Sequence, residues 1–204
     1  VVAEPLRLIV VRHGETELTG SVYNGSGPAA ADPPLTTAGR RRLSRVDRPD
    51  VAARVAVASS PALRARQTLG TLIDAWVPGE VDGPEIVEAL AEVDFGDWEG
   101  RSAVRVSRED PQRWREWLAD PAIAPPNGSS LVQRDGLLRA YLTRLQLSPQ
   151  RTWLLVAHAT TVRLVVAQVL GLSLANAQRI GVRPGGWCEV RIWSDGGACL
   201  DGLH

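Results

Sequence analysis

Apolar positions change their spacing along the chain, and the spacing predicts strands alternating with helices. Leu6 to Val11 is a continuous apolar run interrupted only by Arg7, short and β-branched at its end, as expected of a strand buried on both faces. RVAVASS (Arg54 to Ser60) and TWLLVAH (Thr152 to His158) read the same way, whereas CEVRIW near the C-terminus alternates as a further strand would. Helical periodicity follows the buried runs. Leu63, Leu69, Leu72, Ile73 and Trp76 share one face, as do Leu137, Leu138, Tyr141, Leu142 and Leu145. ATTVRLVVAQVLGL predicts a buried helix that begins with a capping Thr and ends at Gly171. Thr36 or Thr37 of PLTTAG caps another. The alternation predicts an α/β three-layer sandwich, with a mainly parallel central sheet and helices on both faces. With no linker or internal repeat in view, one domain over residues 1–204 is the expectation. The Pro/Gly-rich stretches Gly25 to Pro34 and Pro121 to Ser130 read as long loops, a common place for function.

Composition narrows the function classes. The 204 residues are 44% hydrophobic, enough for a sizeable core, and 23 basic residues balance 23 acidic ones. The overall field therefore gives no reason for binding nucleic acid or an anionic membrane, and any affinity for anions must be local. All the basic residues are Arg and there is no Met, which reads as coding bias; Val1 is then not the expected translation start. The basic run GRRRLSR, Gly39 to Arg45, reads as the solvated face of a short helix rather than a nucleic-acid patch. No apolar run is long enough to span a membrane and no signal peptide is visible.

The two cysteines, Cys188 and Cys199, flank a hairpin turn at SDGG. A two-residue loop at Asp195-Gly196 would pair Cys199 with Ile192, which disfavours a disulfide and agrees with a reducing, cytoplasmic setting. Three His and two Cys show no ligand spacing, so neither a metal nor another cofactor is expected.

Candidate chemistry collects at the ends of the three buried strands. Arg12-His13 follows the first, Arg64 in SSPALRARQT the second, and His158 the third. In an open α/β sheet, ligands sit beyond the carboxyl ends of the strands, where helix N-termini point their free N–H groups. Two imidazoles and two guanidiniums there describe an anion site, and phosphate suits the planar fork of Arg. His13 is then a candidate nucleophile, and Gly14 lets the backbone turn close to a ligand.

VRHGET with PLTTAG, SSPALRARQT, LAEVDFGDWEG and LLVAHATT, in that order from about Leu6 to about Trp193, resemble the successive signatures of the histidine phosphatase superfamily. The branch is the one with phosphoglycerate mutases and small phosphatases. YNG ahead of PLT, EVDFGDWEG and the Trp-rich RWREWL are most similar to its α-ribazole phosphatase type. The resemblance implies a phosphomonoesterase acting without a metal on a small phosphorylated metabolite, α-ribazole phosphate-like or a sugar phosphate, as a monomer or homodimer. It implies that His13 becomes phosphohistidine, that Arg12 and Arg64 grip the phosphoryl oxygens, and that His158 hydrogen-bonds the phosphoryl group. Glu92 is the implied general acid and base, with Glu88 the competing acid. Thr19, Asn24 and Gly25 are the candidate substrate-binding residues.

The chain departs from the family pattern in places. Thr19 stands where relatives usually carry Asn, Ser129 replaces a Glu in NGSS, and Ala157 and Ala159 flank His158. Two other readings compete: phosphoglycerate mutase-type transfer, and a phosphate-ligand binding protein without turnover. Trp114 and Trp117, three apart, suggest a lid bordering the substrate pocket or, alternatively, a partner-binding helix.

Overall fold

The computed structural model describes residues 4–51 and 54–204; Val1, the first residue noted above, lies outside them. Three buried strands form where the apolar runs predict them: β1 (Leu6–Arg12), β2 (Arg54–Ser59) and β4 (Thr152–Ala157). β3 (Glu80–Ile86), β5 (Trp187–Ile192) and β6 (Ala198–Leu203) complete one six-stranded sheet of order β3-β2-β4-β1-β5-β6. The first four strands of that order run parallel to one another, and β5 is antiparallel to both β1 and β6.

Side chains alternate across a strand, so each central strand feeds both cores. Leu8 and Val10 of β1, with Trp153 and Leu155 of β4, meet α5 (Leu131–Gln146) and α6 (Ala159–Val169) on one face. Ile9, Val11, Leu154 and Val156 face the other core, shared with α1 (Thr37–Leu43) and α2 (Leu63–Trp76). This is the expected α/β sandwich. Two short helices, α3 (Ala103–Glu109) and α4 (Pro111–Ala119), carry a third cluster around Phe95, Trp98 and Trp117. The four-residue helix α7 (Leu174–Ala177) follows α6.

Several local expectations are corrected. The N-cap of α6 is His158, not a Thr, so its backbone rather than a hydroxyl starts the helix. Leu137 is exposed, one position off the buried stripe of Leu138, Tyr141, Leu142 and Leu145. The hairpin register is one residue away from that expected. Trp193 N–H donates to Gly197 O, so three residues rather than two form the loop, with Gly196 at φ 88°. Cys199 consequently faces Arg191, and both cysteines are free. At the start of α1, Thr36 is the capping residue, its hydroxyl accepting from Gly39 N–H. Among the described residues no helix is long and apolar enough to cross a membrane.

Candidate active site

The carboxyl ends of β1, β2 and β4 open into a cleft of about 340 Å³. Six of the residues singled out from sequence line it: Arg12, His13, Thr19, Asn24, Arg64 and Glu92. His158 and Gly25 instead line a smaller cavity of about 240 Å³, and Arg64 forms part of both walls. Four of the groups are nearly sealed from water, with exposures of 7% for His13, 2% for Arg64, 7% for Glu92 and 1% for His158.

His13 leaves β1 with its Nδ1 2.7 Å from Gly14 O. A carbonyl only accepts, so Nδ1 carries the proton and Nε2 keeps its lone pair. Burial, reinforced by Arg64 and Arg12, lowers the His13 pKa to about 3, so the ring is neutral across the physiological range. Gly14 is pinned in turn, because its N–H donates to Thr68 Oγ1 on α2 at 2.9 Å. A side chain at Gly14 would meet Leu43 at 2.8 Å, which accounts for the glycine after the Arg-His pair.

Arg64 sits in the first turn of α2. Its Nη2 donates to Asn24 O at 3.2 Å and Gly25 O at 3.1 Å, and lies 3.4 Å from His158 Nδ1. Guanidinium has no lone pair to offer, so His158 Nδ1 accepts and its Nε2–H donates to Ser60 Oγ at 2.7 Å. Burial first, then His13 and the arginines, push the His158 pKa well below its ordinary value. Its ring meets that of His13 edge-on, centroids 5.0 Å apart. Arg12 donates from Nη1 to Val182 O at 2.7 Å. The Nε atoms of both Arg12 and Arg64 are buried without a hydrogen-bond partner among the described residues. Burial lowers both guanidinium pKa values, and the charge of Glu92 opposes that shift.

Glu92 follows a 3₁₀ turn, Glu88–Leu90, and faces the start of α6. Oε1 accepts from Val93 N–H at 2.9 Å, and Oε2 lies 3.4 Å from Thr160 N. Glu88 is exposed at the start of the turn and lies outside the main cleft. Thr19 accepts from Thr16 N–H at 2.9 Å and lies 3.0 Å from Thr16 Oγ1, so its hydroxyl braces the turn after His13. Gly25 N–H donates to Glu99 at 2.9 Å, and a Cβ on Gly25 would meet Val93 O at 1.9 Å. Trp117 borders the cleft, while Trp114 donates from its indole N–H to the Tyr23 hydroxyl at 3.1 Å.

Sequence reasoning missed several members of the site. Ser60 stands within SSPALRARQT four residues before the chosen Arg64, and Glu99 is the penultimate residue of EVDFGDWEG; both were legible as motif members. Arg163 lines the cleft from α6, five residues beyond His158, a spacing that carries no signature of its own. Arg134 grips the carbonyls of Glu88, Ala89 and Ala91 from α5, holding the turn before Glu92, and nothing in its local sequence marks it. No group of three or more His, Cys, Asp or Glu among the described residues is arranged to hold a metal.

Comparison with known proteins places the chain in a family. The chain is 29% identical over 203 residues to a bifunctional protein of Mycobacterium tuberculosis; the match takes in 96% of this chain but 53% of that protein. The chain thus spans about half the length of the first curated relatives it matches. It is 30% identical over 194 residues to the adenosylcobalamin/α-ribazole phosphatase of Salmonella typhimurium, covering 92% of this chain and 91% of the other. The structure of a mycobacterial glucosyl-3-phosphoglycerate phosphatase superimposes with a TM-score of 0.79 at 25% identity, covering 97% of each chain. The family model that matches residues 8–201 describes branch 1 of the histidine phosphatase superfamily. With that match extending from β1 to β6 and through every strand end that forms the cleft, the chain belongs to this superfamily.

Proposed function

We propose that this chain is a phosphoric monoester hydrolase that passes the phosphoryl group of a small phosphomonoester to His13 and then to water, without a metal. The observation that carries the reading is the state of His13: a neutral ring, its Nδ1–H on Gly14 O, with Nε2 left as the nucleophile in a cleft lined by the buried Arg64 and the half-buried Arg12. Phosphatase names among the relatives support the class of reaction, and their different substrates leave the metabolite open.

In the first step His13 Nε2 bonds to phosphorus as the bond to the alcohol oxygen breaks, and Glu92 gives that oxygen its proton. In the second, water attacks phosphorus, Glu92 takes the proton, and the P–N bond breaks to release phosphate. Arg12 and Arg64 balance charge on the phosphoryl oxygens. For Arg64 this is an exchange of partners, since a charged phosphoryl oxygen is a stronger acceptor than the carbonyls of Asn24 and Gly25. His158 donates to the phosphoryl group once its Nε2–H leaves Ser60.

Purified protein should release phosphate from p-nitrophenyl phosphate and keep its rate after EDTA treatment, with oxygen from labelled water entering the phosphate. Transfer to a second alcohol without label would indicate a mutase. Tight phosphate-ester binding with no turnover at any pH would indicate a binding protein.

A further inference from the structure

The cleft of about 340 Å³ is lined asymmetrically beyond its cationic end. One wall is apolar: Val22 and Tyr23 from the loop after β1, Phe95, Trp117 and Leu118, and Leu131 at the start of α5. Its aromatic rings are held by one another. Tyr23 packs on Phe95 with centroids 4.8 Å apart, Phe95 meets Trp117 at 6.3 Å, and Trp117 meets Trp98 at right angles at 5.5 Å. Tyr23 is further fixed by the bond its hydroxyl accepts from Trp114. A wall of packed rings is preformed, so a ligand that covers it gains burial without ordering it first.

Several polar groups of the cleft are committed elsewhere, while the side chains of Asn24, Thr160 and Gln178 also line it, outside the aromatic wall. Both oxygens of Glu92 face backbone N–H groups, and the hydroxyls of Thr16 and Thr19 face each other. Arg163 spends its Nε on Ile180 O. Recognition of a polyol needs several free donors and acceptors that replace water at each hydroxyl, and the side chains of that wall carry only the Tyr23 hydroxyl, already held by Trp114, and the buried Trp117 indole N–H.

We propose that this cleft takes phosphomonoesters of bulky, largely apolar alcohols, with an aromatic or branched hydrocarbon group close to the ester oxygen, in preference to those of small polyols and hydroxy acids. The inference rests on the phosphatase reading above and narrows its substrate. The rival is a short hydroxy acid whose carboxylate pairs with Arg163.

The test compares primary alkyl esters, so that the leaving oxygens are chemically similar: 2-phenylethyl phosphate against glycerol 1-phosphate, with 3-phosphoglycerate as the rival. The proposal expects kcat/KM for the phenylethyl ester to exceed that for glycerol phosphate by about 10–100-fold, the range that small apolar differences give in such pockets. Leu118→Asn, at a position 41% exposed on α4, should bring that ratio down several-fold. Leu137→Asn, on the outer face of α5, should leave it unchanged. Equal rates, or faster turnover of 3-phosphoglycerate, would overturn the substrate class while leaving the phosphatase reading intact. No phosphate release from any ester, p-nitrophenyl phosphate included, would overturn both.

Discussion

His13 and Glu92 divide the proposed chemistry between a nucleophile that is neutral before it attacks and a carboxyl that moves a proton. Glu92→Gln keeps the shape and the bond from Val93 N–H but removes the transferable proton. Turnover of alkyl phosphates, whose leaving oxygens need protonation, should fall by roughly 10²–10⁴-fold. On p-nitrophenyl phosphate the same variant should show a retained burst followed by a slow steady state, because a good leaving group departs unaided while water still lacks its base. Glu88→Gln should change neither, since Glu88 is exposed and outside the cleft. The reverse pattern in stopped-flow traces would move the acid to Glu88. At this scale the sequence was informative where a residue sits at a strand end, as Arg12, His13, Arg64 and His158 do. It was silent about partners brought in by tertiary packing: Arg134 reaches the Glu88–Ala91 turn from a helix more than forty positions away.

The loop between β1 and α1 is the element that joins the mouth of the cleft to its cations. Gly25 N–H is held by Glu99, and the Asn24 and Gly25 carbonyls hold Arg64. Gly25→Ala would place a Cβ 1.9 Å from Val93 O, so the loop must shift. The expected cost is about 1–3 kcal/mol, read as a lower Tm. Because the shift also releases Arg64, vanadate should bind about tenfold or more weakly by titration. Gly70→Ala makes the opposite case. Gly70 lies within α2 with open space where a Cβ would go, so alanine should stabilise the protein by about 0.5–1 kcal/mol. A higher Tm for Gly70→Ala and a lower one for Gly25→Ala in thermal melts would support both statements; the same direction for both would contradict one.

Elements with strong periodicity were legible, and the misses have local causes. β3 carries Gly83-Pro84 and all seven of its residues have at least partial exposure to solvent, so it shows neither an apolar run nor alternation; it forms because it lies at the sheet edge beside β2. RVSREDPQRWREWL holds two helices rather than one, because α3 ends at Glu109 and Pro111 starts α4 after Asp110.

For the whole molecule, the site makes folding sensitive to acid. His13 titrates at about 3 in the folded chain against an ordinary 6.5, and His158 is shifted the same way. Between those pH values the unfolded chain binds protons that the folded one refuses, so stability falls as pH falls from about 6.5 towards 3. His13 should contribute a slope of about 1.4 kcal/mol per pH unit in the middle of that window, and His158 adds to the loss in the same direction. Urea melts at pH 7, 6, 5 and 4 should show this loss, and His158→Asn should reduce it. A flat profile would mean that the rings are not held neutral by burial. The three-layer packing explains why the fold class was readable in advance. β1, β2 and β4 are apolar on both faces, and such strands fit only a sheet covered by helices on each side. The hairpin register was not readable, because loop length depends on where Gly196 takes its positive φ.

The phosphoryl group must at some point be bonded to His13, and trapping that bond tests the account most directly. The protein is mixed with an excess of aryl phosphate, quenched in base within milliseconds, digested, and the peptide containing His13 weighed. Phosphoramidates survive base and not acid, so the account predicts one added phosphoryl group on that peptide, lost on brief acid treatment and absent in His13→Ala, which should also lose turnover. Phosphate release by wild-type protein with an unmodified His13 peptide, or by His13→Ala at near-wild-type rate, would contradict it.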